Sequence, residues 1–115
     1  RVAWTPKRLA ILDCYEERYN CIKDLPYHSV EQQELVNYIG LRYCVCIFRN
    51  YDMIDKKLKG EEQKREKKDA LKRIRGLLND STLKLSFLNR IFYRCFSVIP
   101  MFFVMVFRMR NRWKG

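Results

Sequence analysis

After Asp80 the chain has no acidic residue, while Lys84, Arg90, Arg94, Arg108, Arg110, Arg112 and Lys114 put seven positive charges into residues 81–115. That absence excludes a self-neutralised surface in the last third and points to an anionic partner, phospholipid or nucleic acid. Histidine is almost missing as well. His28 stands alone, with no carboxylate or nucleophile in local spacing, and reads as a loop residue rather than a general base. There is no Gly-rich phosphate loop, no HExxH and no GxSxG. No residue is therefore assigned a catalytic, cofactor-binding or metal-binding role.

The cysteines lack a pairing pattern. Cys14, Cys21, Cys44, Cys46 and Cys95 are five, an odd number, and the opening residues do not read as a secretory leader; the expectation is reduced thiols rather than a disulfide framework. Cys44-Val-Cys46 has no second CxC or CxxC to complete four zinc ligands. Cys14 and Cys21 lie two turns apart on one helix and read as small buried hydrophobes. The chain opens on Arg1, and its abrupt start reads as a piece cut from a longer polypeptide.

A long apolar run is missing too. The uncharged stretch Cys95–Phe107 has thirteen residues and covers only about 20 Å as a helix, against about 30 Å of bilayer hydrocarbon. Extending it back to Ile91 takes in Arg94, so a simple span is the weaker reading.

What is present is helical periodicity. Residues 1–58 hold nine bases and eight acids and residues 59–80 eight and five, so positive charge accumulates toward the C-terminus. Thr5 before Pro6 opens a first helix, about 6–24, with Leu9, Leu12, Tyr15, Tyr19 and Ile22 on one face. Ser29 and Gln32 form a capping box for a second helix, about 30–59, in which Leu35, Ile39, Tyr43, Cys46, Ile47, Tyr51 and Ile54 or Leu58 share a side. Gly40 inside it calls for a close helix crossing, and Gly60 reads as its C-cap. A third helix, about 61–79, places Ala70, Leu71, Ile74, Leu77 and Leu78 inward, with a charge-dense solvated face whose interspersed acids argue against nucleic acid. On the first helix, Asp13 and Glu17 share a face, with Glu16 beside them. Among Lys7, Arg8 and Arg18 they read as a surface charge cluster rather than a metal or acid–base pair. The fold class is all-α, four or five helices, residues 1–80 forming one region and 81–115 a basic, aromatic segment.

In that last segment Phe87, Leu88, Ile91, Phe92, Cys95, Ile99, Phe102, Phe103, Val106, Met109 and Trp113 follow threes and fours. Arg90, Arg94, Ser97, Arg108 and Arg112 fall opposite, and Pro100 breaks the helix in two. Such a helix can be the core of a larger protein or can lie in a membrane interface. The all-basic polar side favours the interface, with Arg90, Arg94, Phe102, Phe103, Arg108, Arg110, Arg112 and Trp113 as its surface residues.

The stretch TPKRLAILDCYEERYNCIKD, through Lys7, Arg8, Leu9, Leu12, Glu16, Glu17 and Arg18, resembles the segment after the catalytic domain of bacterial family 2 glycosyltransferases of the capsular and exopolysaccharide type. The ending FYRCFSVIPMFFVMVFRMRNRWKG is similar in layout to theirs. The resemblance implies a non-catalytic C-terminal helical region of an enzyme of polysaccharide biosynthesis. That enzyme would move sugar from a nucleotide donor to a lipid-linked or oligosaccharide acceptor at the cytoplasmic face of the cell membrane. Nucleotide sugar and divalent metal would then belong to an upstream domain, and none of that domain's motifs matches a position here. The expected partners are an anionic membrane surface, the upstream domain and a second copy of the chain. The alternative is a basic helical adaptor for nucleic acid or protein.

Overall fold

The computed structural model of the protein describes residues 4–26 and 29–114, with backbone alone at 113 and 114; His28 lies outside the described residues. A 3-10 turn, Pro6–Leu9, leads into α1 (Ala10–Lys23), followed by α2 (Val30–Lys57), α3 (Gly60–Leu78), α4 (Phe87–Val98) and α5 (Pro100–Lys114). No strand occurs among the described residues, and the fold is all-α as the periodicity predicts.

Each helix starts for a local reason. Pro6 takes the first helical position, where a missing N–H costs nothing, but the Thr5 hydroxyl makes no cap bond. Ser29 Oγ accepts from the Gln32 amide at 3.1 Å. The capping box is only half made, because Gln32 Nε2 donates to the Ile22 carbonyl at 2.9 Å. At the end of α1 that carbonyl has only a long backbone bond, 3.4 Å from the Leu25 amide, so the glutamine completes it and splices two helices. Gly60 does not cap α2. It opens α3 with φ 63°, a left-handed conformation that glycine adopts without a Cβ penalty, after extended Leu58 and Lys59. Gln63 Nε2 then ties the corner by donating to the carbonyls of Asp55 and Leu58 at 3.0 and 2.8 Å.

Helix α2 is the mast. Its 28 residues come to about 42 Å at about 1.5 Å each, close to the molecule's longest extent of 44 Å. Val36, Ile39, Tyr43, Ile47, Tyr51 and Ile54 form its buried stripe. Leu35, expected inward, is exposed, because the stripe is centred one residue later, on Val36. Leu12 and Tyr19 of α1 and Ala70, Ile74, Leu77 and Leu78 of α3 pack into the same core. Cys14 and Cys21 are exposed, not buried; Cys14 lies two residues, about 200°, around the helix from Leu12. Gly40 is explained by a loop rather than a helix crossing. A Cβ there would run into the side chain of Leu83, which is 1% exposed.

The chain breaks at Pro100, as its position predicts. Ile99 is non-helical (φ −128°, ψ 65°), and α4 and α5 meet at a bend of 116°. Both halves are clamped by Phe48 of α2, whose ring lies edge-on to Phe92, Phe96 and Phe107 at 5.7, 5.0 and 5.3 Å. Such pairs contribute about 0.5–1.5 kcal/mol each beyond burial. The radius of gyration is 15.0 Å, above the roughly 13 Å of a compact chain this long. The outer side of α4 and α5 is uncovered.

Candidate functional site

The α4–α5 corner is apolar on two faces. Its inner face is Tyr93, Phe96 and Val104, all buried, with Phe92, Met101, Phe103 and Phe107 packed beside them. The outer face of α4 exposes Phe87, Leu88, Ile91 and Val98, Leu88 by 78%. Ile99 at the bend is exposed, and so are Phe102, Met105, Val106 and Met109 of α5, Phe102 by 60%. A helix whose far side meets only water carries polar residues there. Isolated exposed leucines need no explanation, but a run of this extent is more apolar than a solvated helix face requires.

The basic residues divide into two kinds. Arg94, Arg110 and Arg112 are exposed. Arg90 turns inward, its guanidinium donating to the carbonyls of Leu78 and Leu83 at 3.4 and 3.1 Å. Arg108 also turns inward: Nε donates to Asp52 Oδ1 at 2.6 Å and Nη2 to Asp55 Oδ2 at 2.9 Å. Lys67 completes that cluster on Asp55 at 2.7 Å, and Lys56 lies 3.3 Å from Asp52. The acids missing from the last third are thus supplied to Arg108 by α2. The single wheel drawn through residues 87–113 fails here because the bend at Pro100 gives each half its own inward side. Ser97, placed on the polar side by that wheel, is buried, with Oγ donating to the Arg94 carbonyl at 2.6 Å. Phe102 and Phe103 likewise separate: Phe102 is exposed, while Phe103 is half-buried against Phe92 at 5.2 Å. The Trp113 side chain lies outside the described residues.

A second polar centre organises α1, α2 and α3. Arg73 donates to Asp69, to Asp13 and to the Tyr43 hydroxyl, and it faces Glu16 at 3.5 Å. Burial alone would lower its pKa, but the bonds to Asp69, Tyr43 and Asp13 raise it further from neutrality. Tyr43 is pushed up to about 12 by burial, against the opposing effect of Arg73. The carboxylates that meet are Asp13 and Glu16, not Asp13 and Glu17. Arg73 itself had no distinguishing local signal beyond the i, i+4 spacing to Asp69. Asp80 accepts from the Tyr19 hydroxyl at 2.8 Å, Lys23 at 3.2 Å and the Thr82 amide at 2.9 Å. Burial works against its ionised form, yet those bonds hold its carboxyl below the usual range. In both centres each carboxylate is matched by cations and hydroxyls, an arrangement that fastens helices together. Among the described residues no group of three His, Cys, Asp or Glu side chains converges as a metal site.

Comparison of the chain with protein-family models, with curated proteins and with solved structures finds no significant match.

Proposed function

We propose that the α4–α5 corner docks this helical region on an anionic membrane surface. The region would be a non-catalytic part of a glycosyltransferase that works at the cytoplasmic face of the cell membrane. The supporting observation is the two-sided apolar character of α4 and α5, one side consumed by the Phe48 cluster and the other uncovered. Exposed Arg94, Arg110 and Arg112 stand around that uncovered side without an acidic residue after Asp80. No single described helix is long and apolar enough to cross a bilayer, and the α4–α5 pair is bent by 116°. Lying in the interface suits that shape: apolar side chains insert at the acyl boundary, and each basic residue near anionic lipid adds about 1 kcal/mol. The enzyme part of the proposal rests on the Lys7–Arg18 resemblance alone. Its donor sugar and metal would be handled by the upstream domain.

Vesicle co-sedimentation tests the surface. The chain should bind vesicles containing phosphatidylglycerol and release as salt rises, since the screening length falls from about 10 Å at 0.1 M to about 3 Å at 1 M. Phe102→Asp should abolish binding while far-ultraviolet circular dichroism stays helical, whereas Phe103→Asp should lose the fold. Arg94→Ala, Arg110→Ala and Arg112→Ala together should weaken binding to anionic vesicles and hardly change it on neutral ones. A chain that ignores vesicles but self-associates, and stops doing so with Phe102→Asp, would make the corner a protein interface. Salt-dependent binding of nucleic acid untouched by Phe102→Asp would favour the adaptor reading.

A further inference from the structure

The N-terminal turn and the far side of α2 border a second feature, an open groove distinct from the corner. A cleft of about 410 Å³ lies between them, with Trp4 and Ile11 on one wall and Cys46 and Met53 on the other. Its size falls within the roughly 300–1,000 Å³ of small-molecule sites. Lys7, Arg8 and Arg49 also line it, and no carboxylate does. Among the described residues none of those three bases enters an ion pair. This sets them apart from Arg73 and Arg108, whose charges are matched several times over. The apolar wall is also pre-organised. Trp4 Nε1 donates to Asn50 Oδ1 at 3.0 Å, and Asn50 Nδ2 donates back to the Cys46 carbonyl at 2.8 Å. The indole's one polar atom is thereby satisfied, and its ring is held as apolar surface. Ile11 is 45% exposed at this wall.

Cations without acidic partners on two elements, beside an apolar wall, suit a molecule with a small apolar body and an anionic head. We propose that the cleft binds a single-chain amphiphilic anion of the fatty-acid class. Arg8 and Arg49 take the carboxylate, and Trp4, Ile11 and Met53 take the chain. Guanidinium groups suit this role because they meet a carboxylate with paired N–H donors. The cleft does not depend on the membrane reading of the corner, and a suitable experiment keeps the two apart.

Trp4 is the reporter. In the Trp113→Phe chain it is the sole tryptophan, since the sequence has two. Titration with monomeric decanoate should change its fluorescence saturably, and decanol or acetate at the same concentrations should not. Arg8→Gln with Arg49→Gln should weaken decanoate binding about tenfold or more, the loss expected for charge-assisted hydrogen bonds. Both arginines are exposed, so the fold tolerates the change. Phe102→Asp, which removes vesicle binding, should leave the titration unaltered. The proposal is overturned if Trp4 shows no saturable response or responds to decanol equally well. It is overturned too if acetate alone saturates it, if the double arginine change leaves it intact, or if Phe102→Asp removes it.

Discussion

Asp52 is 5% exposed and is the one charged residue buried among those described. A carboxylate at that depth is tolerable only with partners, and Arg108 supplies the shorter bond. Replacing Arg108 with Met keeps most of the stem and removes the charge. Chemical denaturation should then show a loss of about 2 kcal/mol, since a buried charge left under-paired costs far more than a surface pair gains. The remaining Lys56 at 3.3 Å softens the loss. Arg110→Met, at an exposed position, should stay within about 0.5 kcal/mol. Equal effects from the two changes would mean that Arg108 does not hold Asp52. The same clusters set an acid limit. Burial tends to raise the Asp55 carboxyl, but hydrogen bonds from Lys67 and Arg108 outweigh it and hold it below its ordinary value; Asp80 is held low by Thr82, Tyr19 and Lys23. A depressed folded-state value means the unfolded chain binds protons first. The stability these groups add is therefore complete above the unfolded carboxylate pKa, about 4, and is lost as pH falls through the lower folded values. Urea midpoints measured from pH 7 downward should stay level to about pH 5 and then drop. Asp55→Asn should make that drop shallower; an unchanged slope would remove Asp55 from the account.

At the scale of elements the decisive contact is small. Gly40 inside α2 costs about 1 kcal/mol in helix propensity relative to alanine, and the position is kept open because the Leu83 side chain fills it. Leu83 is enclosed at 1% exposure and has little room to retreat. Gly40→Ala should therefore destabilise despite better propensity, overpacking costing about 1–3 kcal/mol. Leu83→Ala alone should cost about 2–4 kcal/mol through the cavity it leaves. The double variant should be more stable than the sum of the two by over about 0.5 kcal/mol, because the added methyl enters the vacated space. Strict additivity would separate the two residues. This contact also marks the limit of what local spacing in the sequence determines. Helix number, the stripes of α1 and α3 and the break at Pro100 follow from spacing of threes and fours and from proline's missing N–H. The partner of Gly40 lies 43 positions on, in a loop with no period. The same holds for Asp13 and Glu16 around Arg73 and for Asp52 and Asp55 around Arg108, which come from other helices. An apolar face is visible in one helix's sequence; which of its two sides is spent on the core is decided by the neighbours. Phe102 and Phe103 looked alike for that reason.

Across the whole molecule, the exposed thiols give three reporters that need no added label site. Cys14 and Cys21 lie on α1, and Cys95 lies on α4 among the exposed Ile91, Val98 and Ile99; all three are exposed. Cys44 is fully buried, and burial pushes its thiol up to about 12. Reactivity follows the thiolate and its accessibility. In free solution a maleimide should modify Cys14, Cys21 and Cys95 quickly and Cys44 only after unfolding. Bound to phosphatidylglycerol vesicles, a chain that docks through the α4–α5 corner must turn Cys95 into the acyl boundary while α1 stays in water. Peptide mass mapping should then show Cys95 protected by about tenfold or more, matching the fraction of time the face is buried, with Cys14 and Cys21 unchanged. High salt, which releases the chain, should restore Cys95 labelling. Protection of Cys14 and Cys21 with Cys95 still reactive would mean that the molecule meets lipid through the opposite side. Protection of Cys95 without vesicles, growing with protein concentration, would mean that a second copy of the chain covers the corner.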